Sequence, residues 1–198
     1  MAELVTLLEY KEGEGLQSSK DDLQISRLIT SVSQLVKTYC GNIIIDFYSV
    51  DKTETFNIDY ETYAVQLTES PVVEVSLVQM RGTYREAYTT LTTGAYEYFL
   101  DTATDSIIRT NDSNNYSYKN WPRGPGAVKV VYKAGYASTP ADLKLAVIDL
   151  ITYYHKDEHK QRRTIAGASI QNETSTSQRN NVAFPDHIKR VLDLYKNF

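Results

Sequence analysis

The sequence of 198 residues contains one cysteine, Cys40, which excludes an internal disulfide and any need for an oxidising compartment. It has no apolar run near the roughly twenty residues that a membrane-spanning helix needs. Its amino terminus lacks the basic start and apolar core of a secretory signal. A basic excess is missing too, because the net charge is -4, and this argues against a dedicated nucleic-acid binder. These absences predict a chain that is made and kept in the cytoplasm.

The charges and the tyrosines are the two compositional features that stand out. From His155 to the end, eight lysines and arginines outnumber five acids, so this tail carries +3 and the remainder carries -7. Tyrosine occurs 16 times, and its apolar ring with a polar tip is enriched at protein–protein interfaces. The tail is therefore either a solvated segment or a contact for an acidic partner.

Helical periodicity is confined to the two ends of the chain. Apolar residues spaced three and four apart predict a helix over residues 19–40, which a serine at 18 or 19 would cap and Gly41 would end. A second helix is predicted over 139–159, with Thr139 as the N-cap and Pro140 as the first helical residue. Shorter helices are predicted over 4–10 and 185–197.

The middle of the chain has the pattern of an antiparallel β module. Short runs rich in Val, Ile, Tyr and Thr alternate with turn residues, and no helical pattern separates them. In Val128-Lys129-Val130 the alternation predicts one packed face and one wet face. The predicted strands cover residues 53–58, 63–67, 72–80, 96–100, 106–110 and 128–133.

These patterns together predict an α+β fold. Residues 1–42 and 137–198 would form a helical core with three main helices, and residues 43–136 would form an inserted antiparallel β module. Residues 161–183 are polar and lack apolar periodicity, so we expect a loop. On the long helices, the residues predicted to serve the core or assembly are Leu28, Val32, Val147, Leu150, Ile151 and Tyr154.

One motif suggests metal chemistry. His155-Lys156-Asp157-Glu158-His159 matches the H-x-x-E-H arrangement of a class of zinc peptidases, in which two histidines four residues apart share one helix face. A zinc site needs a third ligand on another element. The only other histidine, His187, lies beyond the polar loop. The simpler interpretation is that these histidines complement the dipole at a helix C-terminus.

No other catalytic pattern is present. The sequence has no phosphate-binding G-x-x-x-x-G-K-[ST] loop and no G-x-S-x-G nucleophile elbow. Gly124-Pro125-Gly126 is better explained as a tight turn into a strand. Trp121, the sole tryptophan, is expected to anchor the junction of sheet and helix. We therefore expect no enzymatic activity and no cofactor.

Several segments in order resemble the head–tail connector (adaptor, or head-completion) proteins of tailed bacteriophages. The resemblance is strongest from Trp121 to Ala146, where VKVVYKAGY at 128–136 is followed by PADLK at 140–144. Weaker support comes from a helix that ends in YCG at 39–41 and from YY at 153–154. The closing segment contributes Pro185, Ile188, Val191, Leu192 and Tyr195.

The resemblance implies a structural virion protein of the neck, assembled in the host cytoplasm. It implies a ring of twelve copies that joins the portal to a tail-proximal neck or tail protein. DNA would pass through the ring channel without specific recognition, and no catalytic residue, metal or membrane would be involved.

The polar segment is the expected portal-binding part, because it carries arginines and too few apolar residues to anchor it. The residues proposed for this contact are Arg162, Arg163, Ile165, Ile170 and Arg179.

Three alternatives remain open at the level of sequence. The β-rich middle also suits a tail or baseplate component, which would be a monomer or trimer without affinity for a portal. His155 and His159 allow a zinc hydrolase. The polar segment can also be a solvated spacer between two helices.

Overall fold

The computed structural model describes residues 2–93, 97–111, 117–156 and 184–196, together with the backbone of 162–165 and 168–171. The fold is mixed α and β with antiparallel sheets, as the sequence predicts. By contacts, the chain divides into two compact units, Met1–Asn42 with Ser138–Phe198 and Ile43–Ala137. Among the described residues, no helix has both the length and the apolar character to cross a membrane. The elements in chain order are α1 (Leu7–Glu14), α2 (Asp22–Cys40), β1 (Lys52–Ile58), β2 (Ala64–Gln66), β3 (Val72–Met80), β4 (Thr89–Leu91), β5 (Tyr98–Asp101), β6 (Ser106–Arg109), β7 (Gly124–Ala134), α3 (Ala141–His155), β8 (Arg162–Ile165), β9 (Ala168–Gln171) and α4 (Asp186–Asp193).

Helix α2 ends where the sequence predicts but begins differently. Gly41 follows its last turn with a φ of 65°, a left-handed conformation that glycine adopts without steric cost. The predicted serine cap is wrong, because Asp21 occupies the N-cap position and makes no side-chain capping bond. The helix buries one apolar stripe that includes Ile25, Ile29 and Val36.

Helix α3 is the centre of the helical unit. It contacts α2 and α4 and buries five residues, Leu143, Ala146, Val147, Leu150 and Ile151. Pro140, not Thr139, is its N-cap residue. The predicted Thr139 cap is wrong because the Thr139 hydroxyl instead donates to the carbonyl of Leu4 at 2.7 Å. That bond ties the start of the chain to the start of α3.

Helix α1 lies beside α3 and runs in the same direction. The prediction of a helix over 4–10 is wrong at both ends, since Leu4 and Val5 are buried ahead of the helix. Thr6 and Glu9 form a capping box, which starts the helix at Leu7. Ion pairs then join Glu9 to Lys144 and Glu14 to Lys156.

The β unit contains two antiparallel sheets. One has four strands in the order β1-β7-β3-β4, and the other has three strands in the order β2-β6-β5. Their inner faces contribute to one apolar core, in which Val78, Val128 and Val130 of the first sheet join Val65 and Ile107 of the second. Val128 and Val130 are buried and Lys129 is partly exposed, so the predicted packed and wet faces of β7 are confirmed.

Within the β unit, β4 and β7 differ most from the sequence-based prediction. Strand β4 was not predicted, because three residues with two threonines give too short a pattern to distinguish from a loop. Strand β7 begins at Gly124 instead of Val128, so Gly124-Pro125-Gly126 belongs to the strand and is not a turn before it. Arg81 supports this start, since its guanidinium donates to the carbonyls of Pro125 and Gly126.

Residues 162–171 correct the prediction of a loop over 161–183. Arg162–Ile165 and Ala168–Gln171 form an antiparallel pair, with Arg162 opposite Gln171 and Ile165 opposite Ala168. The strands hold only four residues each, so their alternation was too short to detect in a polar sequence. The rest of the predicted loop lies outside the described residues.

Candidate assembly interface

The residues predicted for the helical core or assembly divide by exposure. Val32, Val147, Leu150 and Ile151 are at most 2% exposed and lie inside the helical unit. Leu28 and Tyr154 are only partly buried. Leu28 lies on an outer surface of α2 that also includes Leu23 and Arg27.

Helix α4 is held on the helical unit by an apolar face and two tyrosine hydroxyls. Phe184, Ile188 and Leu192 are buried, and the Phe184 ring packs edge-on against Tyr39 with 5.0 Å between ring centres. The Tyr39 hydroxyl donates to the Asp193 carboxylate at 2.6 Å. The Tyr195 hydroxyl donates to the Asp142 carboxylate at 2.6 Å. The chain is therefore fixed again beyond the polar segment.

Two titratable groups beneath α4 are kept in their neutral forms. Burial, and after it the hydrogen bond to the Asp193 carboxylate, raises the pKa of Tyr39 to about 12. Burial, and after it the charge of Asp193, raises the pKa of the Cys40 thiol to about 11. A neutral thiol is a poor nucleophile, so Cys40 serves as a packing residue.

The residues predicted to bind the portal are only partly described. Arg162, Arg163 and Ile165 lie on β8, and Ile170 lies on β9. These two strands pair with each other and with no other strand of the described chain. Arg179 lies outside the described residues. The hairpin thus joins four of the five predicted residues in one element.

The β unit exposes several of the tyrosines that the sequence suggested for interfaces. The rings of Tyr63 and Tyr118 stack with 4.5 Å between centres and 17° between planes. Both rings are exposed, and Tyr60 is 71% exposed. Other tyrosines serve the core, since Tyr132 is fully buried and its hydroxyl accepts from the Glu69 amide. The abundance of tyrosine therefore has two causes, core packing and surface exposure.

A charged network closes one side of the β unit and is structural. Lys52 donates to Thr68 and Glu69, and Glu54 accepts hydrogen bonds from Thr68. Although burial opposes the charged form, the bonds from Lys52 and Thr68 hold the pKa of Glu54 below its ordinary value. Lys52 thus pairs with both the Glu54 and the Glu69 carboxylates, so ion pairing inside the β unit accounts for these charges.

The described part of the chain gives no support to the alternative of a zinc site at His155 and His159. His155 lies in the last turn of α3, as the dipole interpretation predicts, and its Nδ1 is buried without a hydrogen-bond partner. Glu158 and His159 lie outside the described residues. His187 is exposed on α4. Among the described residues, no group of three or more metal-ligating side chains could hold an ion.

The residues that sequence reasoning missed lie on the edges of the two sheets. Thr53, Thr55 and Asn57 occupy the exposed face of β1, the outermost strand of the four-stranded sheet. The alternation of polar and apolar residues in the sequence identifies these three as solvent-exposed. It does not reveal the strand order, which places β1 at the edge of the sheet.

Comparison with known proteins gives one family and consistent structural relatives. A family model described as "Head completion protein" matches residues 3–198. A head completion protein of Escherichia phage T5 is 22% identical over 194 residues, 98% of each chain.

Solved structures of gene transfer agent particles share the fold. A chain in the neck of an empty particle has a TM-score of 0.60 at 15% identity, covering 98% of this chain and 90% of that one. A chain in the neck of a native particle, computed with C12 symmetry, has a TM-score of 0.56 at 14% identity, covering 100% and 94%. The resemblance found in the sequence is therefore confirmed, and the chain belongs to the head completion protein family.

Proposed function

We propose that this protein is a structural component of the virion neck, where twelve copies close into a ring between the portal and the tail. The observation that carries the proposal is the family match over residues 3–198, together with a similar fold in a neck computed with C12 symmetry. A head completion role requires contact with the filled head on one side and with tail-proximal proteins on the other. A closed ring of identical subunits presents such a pair of different surfaces.

The surface chemistry of the described residues is consistent with this assembly. Leu8, Leu23, Leu145 and Leu194 of the helical unit are each more than 60% exposed. Buried interface cores favour apolar and aromatic side chains and are depleted of charge. Exposed leucines and tyrosines therefore support contact with further protein chains.

A passive channel for DNA agrees with the overall charge. The chain carries -4 at neutral pH, and a net negative charge opposes the binding of phosphates. DNA could then slide through the ring without being retained. In the same proposal the protein has no enzymatic activity.

The segment over 161–183 is proposed as the portal contact. Four of the five predicted residues share the β8–β9 hairpin, and two arginines are consecutive in the sequence of β8. Both flanks of the segment are anchored, by α3 before it and by the tyrosine bonds of α4 after it. A segment anchored at both ends can be presented to a partner without loosening the helical unit.

The ring is tested by the mass of the assembled species. Twelve copies of a 22.5 kDa chain would weigh about 270 kDa, and mass photometry of the purified protein with and without portal would report this species. Cryo-electron microscopy would give its symmetry. Two-fold dimers or trimers on the particle would overturn the ring.

The portal contact is tested by deleting residues 166–178 while keeping both flanks. The deleted protein should keep the far-ultraviolet circular dichroism and unfolding midpoint of its helical unit but should no longer attach to DNA-filled heads. A deletion variant that completes heads and accepts tails at normal yield would make the segment a spacer.

A further inference from the structure

The two sheets of the β unit have four outer edges, and the hydrogen-bond pattern tells which of them are open. In antiparallel pairs, residues alternate between those that bond the neighbour and those that face away. The Arg81 amide donates to the Ala127 carbonyl at 3.0 Å, one step beyond the pairing of Met80 with Val128. Odd-numbered residues of this part of β7 therefore bond β3, and even-numbered residues bond β1.

This alternation identifies the free backbone groups of β1. Phe56, Glu54 and Lys52 lie opposite the even-numbered residues Val128, Val130 and Tyr132, so they bond β7. Thr53 and Thr55, which lie between them, direct their N–H and C=O groups away from the sheet. Asn57 lies at a register irregularity, and its Oδ1 accepts from the Gly126 amide of β7 at 2.7 Å. The side chains of Thr53 and Thr55 are exposed, and their backbone groups bond no described residue.

Strand β5 is the corresponding open edge of the three-stranded sheet. The Arg109 amide donates to the Tyr63 carbonyl at 2.8 Å, so Arg109 and Ile107 of β6 bond β2. The alternate residues of β6, Ser106 and Ile108, then bond Asp101 and Phe99 of β5. Tyr98 and Leu100 are left facing outward, with no backbone partner among the described residues.

The other two edges are strands of three residues, and side chains block part of each. On β2, the Ala64 amide donates to Thr62 Oγ1 at 3.2 Å, and the Thr62 hydroxyl donates to the Ala64 carbonyl at 2.8 Å. Beside β4, the Thr92 amide donates to the Glu97 carboxylate at 2.7 Å, and the Thr92 carbonyl accepts from the Glu97 amide. Each of these edges is thus short and blocked at one end, although Gln66 and Thr90 still face outward, and β1 and β5 are the longer edges left open.

We propose that β1 of one copy pairs with β5 of the next copy in the ring. The inference rests on the proposed ring and names the contact that closes it. Soluble proteins protect long open edges, because unpaired N–H and C=O groups recruit strands from other chains. Here the two open edges are different strands of one unit, so their pairing is head-to-tail. A head-to-tail contact repeats around an axis and closes into a ring, whereas a contact between like edges would stop at a dimer.

The residue types of β1 and β5 are consistent with pairing between two copies of the chain. The outward residues of β1 are two threonines, Thr53 and Thr55, without proline or an outward-facing charge to discourage pairing. Strand β5 reads Tyr-Phe-Leu-Asp and leaves Phe99 42% exposed. An apolar edge strand of this kind would aggregate if it stayed open, and a second copy of the chain supplies β1 in equal number.

Hydrogen exchange measured on the wild-type subunit and on its ring tests both edges at once. The amides of Thr53, Thr55, Tyr98 and Leu100 should exchange rapidly in the subunit and at least about tenfold more slowly in the ring. Lys129, which bonds inside the sheet, is the internal control and should be slow in both. A ring in which either edge still exchanges rapidly overturns the proposal, including the case in which β1 is protected by some other strand.

A matched pair of substitutions at the centre of β1 gives a second test. Thr55→Pro removes an amide hydrogen that faces away from β7, which an edge strand tolerates, but it blocks the added strand. Thr55→Val keeps the amide and suits a strand. We expect the Pro variant to stay folded and the ring yield to fall by at least about tenfold, with normal yield for Val.

The outcomes separate this inference from the proposed function. Rings at wild-type yield from the Pro variant would overturn the edge contact and leave the ring itself intact. Failure of the wild-type chain to form any ring, alone or with portal, would overturn both. If the Pro variant does not fold, the exchange comparison on the wild-type ring decides the question.

Discussion

Leu150 and Leu145 lie on the same helix with opposite exposures, 0% and 61%. Truncating Leu150 to alanine removes apolar contacts and leaves a cavity in the helical unit, so the free energy of unfolding should fall by about 2–5 kcal/mol. Leu145→Ala is the matched control, and its effect should stay within about 0.5 kcal/mol. Urea unfolding of the isolated subunit measures both. Similar small effects at the two positions would mean that Leu150 is not in a packed core.

Glu9 makes the stability of the helical unit depend on pH. The hydrogen bond from Lys144, together with the Thr6 amide, lowers the pKa of Glu9 from 4.5 to about 2. A carboxylate with a lowered pKa stabilises the fold above its unfolded pKa, and this contribution is lost as the pH falls from about 4.5 towards 2.

The free energy of unfolding of Glu9→Gln should therefore fall less steeply than that of the wild type over that pH interval. Thermal unfolding between pH 6 and pH 2 would show the difference between the two proteins narrowing as the pH falls. The side chain is more than a third exposed, so salt should weaken the effect. If the stability difference between the wild type and the variant is the same at every pH, Glu9 does not cause the pH dependence.

At the scale of elements, two tyrosine hydroxyls help to hold α4 in place. One belongs to α2 and bonds α4, and the other follows α4 and bonds α3. Tyr39→Phe removes the donor to Asp193, and Tyr195→Phe removes the donor to Asp142, while both substitutions keep the ring. Each loss should lower the free energy of unfolding by about 0.5–1.5 kcal/mol, because these bonds are exposed to water. Tyr60→Phe is the control, since that hydroxyl bonds no described residue.

Proteolysis provides the local measurement for the same variants. If the two hydroxyls hold α4, limited trypsin digestion should cut after Lys189 or Arg190 faster in either Phe variant than in the Tyr60 control. Equal cleavage in all three proteins would show that the apolar face of α4 suffices to hold it.

The edges of the two sheets are partly protected by residues outside the strands. Thr62 and Glu97 lie outside the strands they protect, and each blocks one end of an edge through its own side chain. Such blocking residues discourage pairing where it is unwanted and leave it possible elsewhere. The same sheet design can therefore both prevent random aggregation and allow one defined contact.

At the scale of the whole molecule, the protein is expected to bind no metal stoichiometrically. His155 lies in the last turn of α3, and the third histidine, His187, is exposed on α4. Elemental analysis of the natively purified protein should find far less than one zinc per chain. Replacing His155 and His159 with alanine should leave folding and assembly unchanged. One zinc per chain, absent from that double variant, would restore the hydrolase alternative.

The sequence by itself determined the fold class, the family and most of the elements. Strong periodicity set the ends of β3 and the end of α2 at Gly41, because apolar patterns and a left-handed glycine are local properties. Boundaries governed by long-range bonds were not predictable. Thr139 has the character of a cap, but its hydroxyl bonds Leu4, 135 residues away.

Only the tertiary structure decided which edges of the sheets are open. Alternation indicates which side chains are wet, but an edge depends on strand order, and order depends on pairings between residues such as Thr55 and Lys129 that lie far apart in the chain. The short hairpin β8–β9 likewise becomes recognisable only from its pairing. Local chemistry therefore sets what each segment can form, and long-range pairing sets which backbone groups remain free for a neighbour.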